Sequence, residues 1–150
     1  MEHGSIERDI LVDASPDVVF EVVSKPEHIQ EWWPDEARFE PVPGGAGELV
    51  WRDPDTGETM TVALAVVEVD PPRRFSFRWC FEEPERRGPA LLVTFDLVPT
   101  GAGTRIRMTE SGFREMGWEV AVLEEHYRDH VTGWDRYMPA LGAYIGTLAR

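Results

Sequence analysis

Cysteine is all but missing from this 150-residue chain: Cys80 stands alone, so no disulfide can form within it. Positive charge is scarce as well, with 15 Lys and Arg against 28 Asp and Glu, a net charge of −13 and a pI near 4.6. Such a chain repels phosphate backbones and anionic headgroups, which excludes nucleic acid as an expected partner. No apolar run approaches the roughly 18 residues that suggest a bilayer span. No cationic stretch followed by an apolar core opens residues 1–10. A cytoplasmic protein without a membrane span is the expectation. What the chain does have is 42% hydrophobic and 11% aromatic residues, enough for a real core. Its length suits one domain over residues 1–150, burying roughly 68–70% of the unfolded surface.

Residues 6–12 read as a first strand. Ser15-Pro16-Asp17 then supplies a capping hydroxyl, a proline for the first helical position and an early acid, so a helix starts at Pro16. Pro26 interrupts it, residues 27–33 read as a second short helix, and Pro34 ends that one. Turn chemistry over residues 41–47 leads into a strand at 48–52, a hairpin loop at 53–57 and a long β-branched strand at 59–69. Phe75, Phe77, Trp79 and Phe81 then alternate with Ser76, Arg78, Cys80 and Glu82, the pattern of a strand with one buried face. Two more strands, at 91–98 and 104–110, flank a tight turn. From Glu119 the period changes to three and four residues, through Val120, Leu123, Tyr127, Val131, Trp134, Met138, Leu141, Ile145 and Leu148. That is one face of a long amphipathic helix, with a bend expected at Pro139. These elements predict an α+β, helix-grip fold: a curved antiparallel sheet of about six to seven strands around a long C-terminal helix, with two short helices near the N-terminus. Space between a twisted sheet and a gripped helix would be lined by the large inward aromatics.

Several short segments occur in a telling order: Ser15-Pro16-Asp17-Val18-Val19-Phe20, Glu31-Trp32-Trp33-Pro34, Gly44-Gly45, Val67 through Phe75 leading to Trp79, Gly103-Thr104-Arg105-Ile106, and His130-Val131-Thr132-Gly133-Trp134. In this the chain resembles the family named for the activator of Hsp90 ATPase homologue, within the START and Bet v 1-like superfamily. Pro139 departs from the pattern, in which the last helix usually continues uninterrupted. The resemblance implies a fold that in other members binds sterols, lipids or plant hormones, or cyclises and dehydrates polyketides, and it does not by itself imply an Hsp90 partner.

Among candidate site residues, Trp51, Phe77, Trp79, Phe95, Met108 and Trp134 are expected to wall a hydrophobic cavity, with Glu110 and His130 as its polar contacts. Glu110 is in phase with Ile106 and Met108, which would turn it inward; a strand end open to solvent, or a bulge near Ser111-Gly112, is the favoured reading. His130 borders the apolar stripe of the last helix, as a core-edge histidine or a hydrogen-bonding group in the cavity. Trp32 and Trp33 are adjacent, so a helix cannot turn both inward, and at least one is expected at a mouth or an interface. His126, Asp129 and His130 resemble half of a zinc-binding helix, but the acid is Asp rather than Glu and only His3 and His28 remain as further imidazoles, so no metal and no cofactor are expected. Cys80 has no activating neighbour and reads as an unreactive strand residue.

The leading expectation is therefore a non-catalytic protein that binds a small hydrophobic molecule. A chaperone-binding module acting through an exposed Trp32 or Trp33 is one alternative, and a cyclase or dehydratase using Glu110 and His130 as acid and base is the other. The oligomeric state, monomer or homodimer, is open.

Overall fold

The computed structural model describes residues 4–148, which leaves His3 outside. Strand β1 (Ser5–Val12) is followed by helices α1 (Pro16–Ser24) and α2 (Pro26–Trp32), and then by six strands: β2 (Glu36–Phe39), β3 (Ala46–Arg52), β4 (Thr59–Asp70), β5 (Arg74–Trp79), β6 (Leu91–Pro99) and β7 (Thr104–Ser111). Helix α3 (Val120–Leu148) closes the fold. The strands form one antiparallel sheet in the order β1-β7-β6-β5-β4-β3-β2. This is the expected α+β helix-grip arrangement, with seven strands.

The local chemistry explains the bounds. Ser15 has extended backbone and its Oγ accepts from the Val18 amide, so α1 begins at Pro16 as its capping sequence dictates. The second helix starts one residue earlier than residues 27–33 and stops at Trp32, because Trp33 already leaves helical geometry (φ −126°, ψ −92°). Strand β2 was not evident in the sequence. It is four residues long, and it lies so close to β3 that a Cβ on Gly47 would collide with the Arg38 carbonyl. β5 ends at Trp79, since Cys80 takes a left-handed backbone (φ 55°), so Phe81 leaves the face that Phe75, Phe77 and Trp79 share. The other face of β5 is not uniformly wet, because Ser76 is buried. Helix α3 continues through Pro139 as one element.

The core lies on the concave face of the sheet. Phe75, Phe77, Phe95, Ile106 and Met108 are at most 1% exposed there. α1 and α2 add Val19, Val22, Val23 and Ile29, and α3 adds Trp134, Met138, Leu141 and Ile145. The convex face carries paired charges instead, including Asp9 with Arg107 and Arg74 with Asp96 across neighbouring strands. Arg8 is an exception: it sits in register with Met108 on the concave side and reaches Asp135 of α3 at 2.7 Å. No helix among the described residues is long and apolar enough to cross a membrane.

Candidate functional site

One end of the sheet gathers the C-terminal ends of β3, β5 and β7 with the start of β4, and the N-terminal half of α3 crosses it. Cross-strand pairing places Trp51 opposite Met60, and Leu49 opposite Val62. Register also places Glu110 between Ile6 of β1 and Val93 of β6, both buried. Alternation therefore holds to the end of β7, and Glu110 points inward with no exposed surface. The favoured expectation of a solvent-open strand end is overturned. The chain leaves the sheet only afterwards, at Gly112 (φ 103°).

The interior tolerates this carboxylate because donors surround it. Trp79 Nε1 donates to Oε2 at 2.8 Å and Trp134 Nε1 donates to Oε1 at 2.8 Å. His130 Nδ1 lies 2.9 and 3.0 Å from the two oxygens. An ionised carboxylate only accepts, so Nδ1 carries the proton and Nε2 is the ring nitrogen left for other partners. The imidazole is held edge-on to Trp79 and Phe113, with ring centroids 5.6 and 5.5 Å away. Burying a charge with three good donors is far cheaper than burying it bare.

Over this group opens a cleft of about 520 Å³. Trp51, Met60, Val62, Trp79 and Cys80 form the sheet side, His126, Asp129, His130, Gly133, Trp134 and Tyr137 form the α3 side, and Trp33 enters from the end of α2. Trp33 is its centrepiece, with ring centroids 4.9 Å from Trp79, 5.1 Å from Trp134 and 5.7 Å from Trp51. A smaller cavity of about 300 Å³ adjoins it, sharing Cys80, His126 and His130. Trp118 stacks on His126 at that junction, centroids 4.1 Å apart.

Of the residues expected to wall a cavity, Trp51, Trp79, Trp134 and His130 line this cleft, and Glu110 lies behind three of them. Phe77, Phe95 and Met108 are packed in the core at 0–1% exposure and do not line it. Trp32 and Trp33 contradict the expectation that one of them is exposed: both are buried, with rings stacked 5.8 Å apart. The helix stops between them, so the rule that separates adjacent helical residues does not apply. Trp32 donates to the Val22 carbonyl, tying α2 to α1, and Trp33 turns into the cleft. Burial pushes the Cys80 thiol well above its ordinary range, and the charge of Glu110 pushes it the same way. Among the described residues no group of three or more His, Cys, Asp or Glu could hold a metal.

The family described as activator of Hsp90 ATPase homolog 1-like protein matches residues 13–146. The chain belongs to this family. No curated protein matches it. Among solved structures it is similar to protein NE0264 from Nitrosomonas europaea, with TM-score 0.79, 18% identity, and 98% and 97% of the two chains covered. It is similar also to protein MLL2253 from Mesorhizobium loti, with TM-score 0.74, 23% identity, and 95% and 97% covered. A third is DynU16, a protein of the dynemicin biosynthetic locus, with TM-score 0.69, 21% identity, and 96% of this chain but 48% of that one covered. Likeness at these identities establishes the fold, which is compatible with ligand binding or polyketide-cyclase-like chemistry.

Proposed function

We propose that this member of the family binds a small apolar or aromatic molecule in the cleft beneath the N-terminal half of α3. The observation that carries the reading is the cleft itself: about 520 Å³, walled by Trp33, Trp51, Trp79, Trp134 and Tyr137, with one buried polar group behind the wall. Drug-sized sites occupy ~300–1,000 Å³ and combine such apolar walls with few, well-placed polar groups. Packing alone would not require a carboxylate at Glu110. By accepting from Trp79, Trp134 and His130 the carboxylate holds all three in fixed orientations, which is what a preformed site needs. Native mass spectrometry of freshly purified protein, compared with the denatured mass, tests this. A reproducible non-protein excess of a few hundred daltons, lost on denaturation, supports it; a bare mass together with no binding of apolar probes contradicts it.

A second reading is favoured by the Glu110–His130 pair, which has the form of an oriented imidazole with one nitrogen uncommitted. In that case the cleft carries acid–base chemistry of the cyclase or dehydratase kind. His130→Gln then abolishes turnover of a bound substrate while leaving its affinity nearly unchanged. The chaperone-binding alternative loses its expected contact, since Trp32 and Trp33 are interior.

A further inference from the structure

We infer that the cleft selects a cationic ligand, an amine or quaternary ammonium carried on an apolar or aromatic body; this deepens the ligand-binding reading and rests on it. Three observations converge. First, Glu110 is a fully buried acid that no Arg or Lys among the described residues reaches; its partners are the Trp79 and Trp134 indole N–H groups and His130 Nδ1. Second, the walls are indole and phenol rings, whose faces carry the negative end of the ring quadrupole and attract cations. Trp79 and Trp134 donate their N–H groups to the Glu110 carboxylate, which pushes electron density into both rings and strengthens that attraction. Third, the charged side chain on the lining is acidic, Asp129, and no Lys or Arg lines the cleft among the described residues. Arg136 already places its guanidinium 5.4 Å from the ring centroid of Tyr137, the kind of contact the cleft's rings offer a ligand.

The competing designs fit less well. A carboxylate or phosphate ligand would meet a buried acid, a rim acid and a net charge of −13. A neutral ligand meets no such penalty, but it gains nothing from the charge behind the indoles. An ammonium approaching the faces of Trp33, Trp51, Trp79 and Trp134 is drawn by the rings and by the carboxylate behind two of them.

Three probes of one shape separate these cases: (2-naphthylmethyl)trimethylammonium, 2-naphthalenemethanol and 2-naphthylacetate, each titrated calorimetrically into the whole chain at moderate and at high salt. The inference predicts that the ammonium binds roughly tenfold more tightly than the alcohol, with the acetate weakest, and that the preference survives high salt because the site is screened little. Glu110→Gln removes most of the preference while the alcohol still binds. Should that variant not fold, Asp129→Asn, at an exposed rim position, lowers the ammonium affinity a few-fold more than it lowers that of the alcohol. An alcohol that binds as tightly as the ammonium, or a preference that both variants retain, overturns the inference and leaves the ligand-binding reading in place. No binding by any of the three overturns both.

Discussion

The two halves of α3 carry the same apolar stripe and do different work. In the C-terminal half Trp134, Met138, Leu141 and Ile145 are all 2% exposed or less, Gly142 lies against Ile10 of β1, and Tyr144 pairs with His28 of α2 at 2.8 Å. In the N-terminal half Leu123, Tyr127 and Val131 are only half-buried, and the helix bridges the cleft instead of filling it. Trp134 stands at the boundary, its ring in the core and its N–H on Glu110. The contrast separates roles along one element: one half anchors the helix, and the other spans an opening that aromatic rings and one hydrogen-bonded acid keep from collapsing.

Substitutions at matched positions sharpen that contrast. Leu141→Ala empties a fully buried site in the anchoring half and is expected to cost about 3–5 kcal/mol in urea unfolding. Glu110→Ala leaves two buried indole N–H groups and an imidazole without their acceptor; a loss of about 2–4 kcal/mol follows, with changed near-ultraviolet circular dichroism as the indoles lose their fixed setting. At the sheet wall that faces the spanning half, the order of effects reverses. Trp51→Ala, at a half-buried cleft wall, is expected to lower affinity for 2-naphthalenemethanol roughly tenfold while costing stability less than Leu141→Ala does. Equal stability losses from Trp51→Ala and Leu141→Ala would erase the distinction. Arg8→Ala breaks a partly exposed ion pair to the boundary segment of α3 and should cost only about 0.2–1 kcal/mol. Smallest of all is the effect of alkylating reagents on Cys80. Its raised pKa keeps it protonated through neutral and mildly alkaline pH, so labelling should lag far behind an unfolded control.

Most of the architecture was legible in the sequence because period 2 and period 3.6 are strong signals over long elements, as in β5, β6, β7 and α3. β2 escaped because four residues between proline-rich turns show no period. The site was half legible. Trp51, Trp79, His130 and Trp134 follow from strand and helix phase. Phe77, Phe95 and Met108 share that phase, but phase alone cannot tell a core position from a cleft wall. Glu110 was visible by alternation, yet the generic cost of burying a carboxylate argued against it; only the three-dimensional meeting of Trp79, His130 and Trp134 offsets that cost. Trp33 escaped for a backbone reason, since its inward turn depends on α2 ending one residue earlier than Pro34 suggests.

On the proposed reading, the N-terminal half of α3 covers a ligand site built on Glu110. Proton–nitrogen correlation spectra recorded during titration with 2-naphthalenemethanol test it most directly, because each of the six tryptophans contributes one indole N–H signal. The Trp79 and Trp134 signals, both hydrogen-bonded to Glu110, should shift together with that of Trp51 and with the His130 amide, while the amides of residues 138–148 stay in place. Shifts concentrated in residues 138–148 or in α1, with those indoles unmoved at saturation, would contradict it.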